Sequence, residues 1–142
     1  MSLNKDTMKV STAMRFAKEY YDDSTYDHVV RVAGYVAENE MIPSEYRDEC
    51  VALAFMHDLL EDTEYKTCML PEYFEKALIL LTKNSEQSYE DYCKEIRKTD
   101  YTNWRMCAYW VKLADIKDHL NQVDTLTDYL KKRYLSGLRY LL

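Results

Sequence analysis

At 142 residues, with 47% hydrophobic and 31% charged side chains, the chain has the size of one globular domain and is too apolar for a disordered one. Its formal net charge of −6 argues against a general nucleic-acid binder, because an acidic surface repels a polyphosphate backbone. Two glycines and two prolines are too few for the frequent turns of a sheet protein, so the expected fold class is all-α, a single helical bundle of seven helices over residues 1–142.

A first helix is expected from about Thr7 to Tyr21, with Met8, Ala13, Phe16, Ala17 and Tyr20 on its apolar side. Asp22-Asp23-Ser24 breaks it, and Thr25 is placed to cap a second helix in which Val29, Val32, Ala33, Val36 and Ala37 recur at steps of three and four. Ile42-Pro43-Ser44 restarts the chain, since proline suits a helix N-terminus. The third helix, through Cys50, Val51, Leu53, Ala54, Phe55 and Met56, is apolar nearly all round and belongs in the core.

Pro71 opens a fourth helix that ends near Lys83-Asn84. Ser88, followed by Asp91, opens a fifth that runs to about Arg97. Thr102 starts a long sixth helix with Met106, Trp110, Leu113 and Leu120. Thr127 opens the last, with Leu130, Tyr134, Leu138 and Leu141 on one side. Lys131-Lys132-Arg133 reads as a solvated face of that helix, and the fourteen tyrosines as packing and surface residues.

Four cysteines, Cys50, Cys68, Cys93 and Cys107, have no zinc-knuckle or redox spacing, and those in helical patterns read as small core residues. The N-terminal MSLNKDTMKV lacks the apolar stretch of a signal peptide, and no stretch approaches the roughly 20 apolar residues of a membrane span. The expected location is the cytoplasm, with reduced thiols and no membrane partner.

The chemistry-bearing residues lie in three places. His57-Asp58 follows the apolar run of the third helix, where unpaired buried polar groups would cost roughly 1–3 kcal/mol each. Glu61 and Asp62 follow one turn later. If the helix continues, all four lie within an arc of about 140° and form an anionic cluster that either water or a cation must satisfy. Asp115 falls among Leu113, Ala114 and Ile116, so its carboxylate needs a cation or a hydrogen-bond donor. His28 opens the second helix just before Val29-Val30.

His28, then His57-Asp58, then Asp115 resembles the H…HD…D signature of the HD superfamily of metal-dependent phosphohydrolases. ALAFMHDLLEDTEY (Ala52–Tyr65) resembles the HDxxED segment of the RelA/SpoT-type hydrolase domains and their small stand-alone relatives. VKLADIKDHL (Val111–Leu120) resembles their KLAD segment, and ILLTKNSEQSYEDY (Ile79–Tyr92) the LTK stretch between. The HD dipeptide alone is weak; HDxxEDT with VKLAD at compatible spacing is specific. The resemblance runs from about His28 to His119.

By that resemblance the chain is one HD-type domain in which His28, His57, Asp58 and Asp115 hold one divalent ion, typically manganese. Mixed imidazole and carboxylate donors also suit other transition metals. Glu61 and Asp62 would position and deprotonate the attacking water, and Lys112 and His119 are candidates for contacting phosphate. The implied partner is a small phosphorylated nucleotide, and the implied reaction is removal of a 3′-pyrophosphate from guanosine tetra- or pentaphosphate. Two alternatives stand beside it: an HD-type 5′-nucleotidase releasing orthophosphate, and a nucleotide-binding HD module that does not hydrolyse. The chain departs from the RelA/SpoT pattern at His119, where that group usually carries asparagine, and in the short, acidic AKEYYDDSTYDH (Ala17–His28) ahead of the first histidine.

For each residue an ordinary structural role also exists. His57-Asp58 could sit at a solvated helix end, His28 could pair with Asp27 or Glu38, and Asp115 could bridge to Lys112 or His119. Lys112 could face phosphate or solvent, and His119 could line a pocket or cap a neighbour.

Overall fold

A computed structural model describes residues 8–63, 70–98 and 103–142, and among these every regular element is helical. The order is α1 (Val10–Tyr20), α2 (Asp23–Glu38), a 3-10 turn (Ser44–Tyr46) leading into α3 (Arg47–Met56), a one-turn α4 (Leu59–Asp62), α5 (Glu72–Leu81), α6 (Tyr89–Arg97), α7 (Asn103–Asn121) and α8 (Asp128–Leu141). Seven of these match the seven helices expected, and α4 is additional. Thr7, Cys68 and Thr102 lie outside the described residues.

Helix starts follow local chemistry. Ser88 Oγ accepts from the Asp91 N–H at 3.0 Å and Thr127 Oγ1 from the Leu130 N–H at 3.1 Å, as their positions predict. The second helix differs. Its cap is Asp22, whose Oδ1 accepts from the Thr25 N–H at 2.7 Å, so Asp22-Asp23 begins this helix instead of separating it from the first. A carboxylate caps at least as well as threonine and also faces the positive end of the helix dipole.

The third helix is the centre of the molecule. Cys50, Ala52, Leu53, Ala54, Phe55 and Met56 are all buried, and the helix packs on α1, α2 and α7. Each large side chain fully buried there contributes about 1.5–3 kcal/mol. From α2 the stripe Val29, Val32, Ala33 and Val36 meets it, whereas Ala37 faces outward. The seventh helix crosses the other side through Cys107, Ala108, Val111 and Ile116, and also touches α5, α6 and α8. Two helices that share the buried face of α3 thus bring residues from positions 28, 57 and 115 into one region. No helix among the described residues is long and apolar enough to cross a membrane.

Cys50, Cys93 and Cys107 are buried thiols, as small core residues should be. Tertiary packing brings Cys50 Sγ to 2.7 Å from Cys107 Sγ, a pairing of α3 with α7 that sequence spacing does not suggest.

Candidate metal centre

The third helix stops one residue before the histidine. His57 (φ −63°, ψ −24°) and Asp58 (φ −95°, ψ 4°) form a turn, and the chain resumes as α4. The continuous helix that would carry His57, Asp58, Glu61 and Asp62 around one arc is therefore broken. Asp58 occupies the sparsely populated bridge region where many active-site residues sit. On an unbroken helix adjacent side chains diverge by about 100°; here the turn brings Asp58 Oδ2 to 3.3 Å from His57 Nε2.

Three elements converge at that turn. His28 comes from α2, and its Nε2 lies 2.9 Å from Asp115 Oδ1 and 3.5 Å from Asp58 Oδ2. His57 Nε2 is 3.1 Å from the same Asp115 oxygen. The four donor atoms, one from each of His28, His57, Asp58 and Asp115, all lie within 4.8 Å of one another. All but Asp58 are buried, and Asp58 is half-buried. These are the four residues that the resemblance implies as metal ligands, and together they could hold one ion.

The imidazoles are oriented from behind. His28 Nδ1 donates to Asp118 Oδ2 at 2.7 Å, and Arg31 Nε donates to the other oxygen of the same carboxylate at 2.8 Å. His57 Nδ1 donates to the Ala54 carbonyl at 2.7 Å. A carboxylate and a carbonyl only accept, so both Nδ1 atoms must carry the proton. Each Nε2 then either carries a second proton or presents a lone pair toward carboxylate oxygens. A lone pair facing those oxygens is repulsive unless a cation lies between them. Ligands about 2.0–2.2 Å from a common divalent ion stand roughly 3 Å apart when adjacent, close to the separations found. The donor chemistry fits a bound divalent cation, and the Nδ1 bonds are of the kind that orients metal-ligating histidines.

The electrostatics show what the cluster does without a cation. Burial alone would push the His57 imidazole down, but Asp58 and Asp115 outweigh it and hold it up at about 9. For His28, too, burial is overcome by Asp115, and its pKa is raised. The Asp115 carboxyl would be pushed up by burial, yet Lys112, His57 and the hydrogen bonds from His119 and His28 hold it well below the ordinary carboxylate range. The centre is thus either protonated on imidazole or metallated, with Asp115 ionised in both states.

Lys112 and His119 both reach Asp115. Lys112 Nζ, buried, donates to Asp115 Oδ2 at 2.9 Å and lies 5.0 Å from the Tyr92 ring centroid. His119 Nε2 is 3.2 Å from Asp115 Oδ1, and its ring stacks on Tyr134 at 4.7 Å and 5°. The bridging contacts that Asp115 could make as a purely structural residue are therefore present, alongside those to the His28 and His57 imidazoles.

His57, Asp58 and Asp115 form part of the wall of a cavity of about 130 Å³. Glu61, Lys83, Lys112, Arg133, His119 and three tyrosines (Tyr89, Tyr92 and Tyr134) also line it. Glu61 is held at its rim, where Oε1 accepts from the Lys83 N–H at 2.9 Å. Asp62 ends α4, and its side chain lies outside the described residues. Lys131 and Lys132 are exposed, as a solvated face requires, whereas Arg133 is half-buried and turns into the cavity.

Asp118, Arg31, Arg133 and Tyr89 are residues of the site that sequence reasoning misses. Asp118 carries a readable signal, since it follows Asp115 by three residues and so shares its helix face. Arg133 and Tyr89 carry none, because only the packing of α6 on α8 brings them to the site.

A scan against protein-family models finds no match to this chain, and a search of curated proteins finds no relative.

Proposed function

We propose that the protein is a metal-dependent phosphohydrolase acting on a small phosphorylated nucleotide. The observation that carries this reading is a cluster of two imidazole nitrogens and two carboxylate oxygens, three of whose four residues line a cavity that also presents Lys83, Lys112 and Arg133. Asp58, Glu61 and Asp115 balance those three cations, so a bound dication leaves the cavity with two positive charges, complementary to a phosphate dianion. Manganese is the proposed ion, on the strength of the sequence resemblance and the mixed donor set.

Held by His28, His57, Asp58 and Asp115, a divalent ion would supply Lewis acidity and offset phosphate charge. The chain's own residues do the rest. Asp118 and Ala54 fix both imidazoles with Nε2 toward the cluster. Glu61 is the proton acceptor for the attacking water: Oε1 is held by the Lys83 N–H, and Oε2 has no partner among the described residues. Asp62 is its proposed companion in that role. Lys112 holds Asp115 in place and adds positive charge to the cavity wall, and His119 offers a donor there.

By sequence resemblance the leaving group is pyrophosphate from the 3′ position of a guanosine polyphosphate. A second reading, a nucleotidase releasing orthophosphate, is favoured by the small cavity, which is well under the roughly 300 Å³ of pockets that enclose whole ligands. The test is an assay on chelated protein restored with manganese and offered guanosine tetraphosphate, dGTP and nucleoside monophosphates. Manganese-dependent hydrolysis supports the enzyme, and pyrophosphate or orthophosphate as product selects between the readings. Tight nucleotide binding without product would instead indicate a non-hydrolysing module.

A further inference from the structure

Arg133 reaches the cavity from α8, an element that contributes nothing to the four-ligand cluster. Its guanidinium carbon lies 4.2 Å from the Tyr89 ring centroid. Among the described residues it has no ion-pair or hydrogen-bond partner, although three carboxylates line the same cavity. Those carboxylates are engaged elsewhere: Asp58 with the ligand imidazoles, Asp115 with Lys112 and the imidazoles, and Glu61 with the Lys83 N–H.

The seat of the tyrosine ring depends on a glycine. A Cβ at Gly137 would stand 2.7 Å from Tyr89 Oη and 3.0 Å from its Cε2, closer than packed atoms approach. Gly137 is one of only two glycines in the chain and lies in the interior of α8, where glycine is otherwise unfavourable. Arg133 and Gly137 are four residues apart, so they share one face of α8, and Tyr89 lies against both. A guanidinium stacked on an aromatic ring keeps its in-plane N–H donors available, in a fork that matches phosphate oxygens.

We propose that Arg133, propped on Tyr89 in the space left by Gly137, grips the phosphoryl group of the substrate at a seat beside the metal centre. The cavity volume suits a phosphoryl group with the rest of the molecule outside, and the charge left by a bound dication suits a dianion. The substrate assignment rests on the phosphohydrolase reading, but the anion seat can be tested without turnover.

The experiment is calorimetric titration of inorganic phosphate, and separately of pyrophosphate, into the manganese-loaded protein. The wild type is expected to bind at least one of them. Arg133→Ala should weaken that binding on the order of 10- to 100-fold while manganese affinity stays within about twofold. Arg133→Lys, which keeps the charge but loses the fork, should recover only part of the loss. Gly137→Ala, which displaces Tyr89, should weaken the anion without weakening the metal. Absence of anion binding by the wild type would overturn the proposal, as would full binding by Arg133→Ala or an equal loss of metal and anion. If no ester is hydrolysed while the Arg133-dependent anion binding persists, the phosphohydrolase reading fails and the seat stands.

Discussion

His28 Nδ1 and Asp118 Oδ2 are 2.7 Å apart although 90 residues separate them in the chain. The bond joins α2 to α7 at the point where each contributes a side chain to the proposed metal centre. Asp118 is fully buried, and it is held ionised, below its ordinary range, because the Arg31 and His28 hydrogen bonds outweigh the effect of burial. It contributes no donor atom to the cluster; its work is to fix the tautomer and direction of His28.

Asp118→Ala should therefore weaken manganese binding by roughly 10- to 100-fold, the usual cost of losing a partner behind a metal histidine. Calorimetry reads the affinity. Asp118→Asn, which retains an acceptor oxygen, should lose less; equal losses would remove the orienting role.

Asp115→Ala should abolish metal binding and also destabilise the chelated protein by about 3–5 kcal/mol, because it leaves the buried Lys112 ammonium without its carboxylate. Asp115→Ala combined with Lys112→Met should recover much of that stability in a denaturant titration while metal binding stays lost. A double variant no more stable than Asp115→Ala would show that Lys112 is not the source of the penalty.

Glu61→Gln should bind manganese like the wild type and lose about 10²- to 10⁴-fold in turnover, the range for removing a general base. Unchanged turnover would assign proton acceptance elsewhere, with Asp62 the next candidate.

Acidity separates the metallated from the protonated centre. His57 has a folded pKa of about 9, above its unfolded value of 6.5, so its contribution to stability in chelator is full below pH 6.5 and is lost as pH rises through about 9. Manganese must displace that proton, so its affinity rises over the same interval. Melting temperatures in chelator should fall from pH 6.5 to 9.5 while the gain on adding manganese grows. A gain independent of pH would mean that the metal does not bind through His57.

Much of the fold was legible because few residues decide it. Two glycines left little room for turns, Ser88 and Thr127 announced their helices, and the run from Cys50 to Met56 declared a buried one. Asp22 reads as a breaker from sequence alone because capping and breaking draw on the same residue types. His57, Asp58 and Asp115 stand out as polar residues beside apolar runs, and His28 joins them through the H…HD…D resemblance, but the break after Met56 is not legible, since HDLLED contains no glycine or proline to mark it. Arg133 looked solvated because Lys131 and Lys132 beside it are, and only the contact of α6 with α8 turns it inward.

The most direct test is anomalous diffraction at the manganese edge from a crystal grown with the ion. The predicted result is one peak about 2.0–2.3 Å from His28 Nε2, His57 Nε2, Asp58 Oδ2 and Asp115 Oδ1, with Asp118 still bonded to His28 Nδ1. Full manganese in the crystal with no peak among those four atoms would contradict the account.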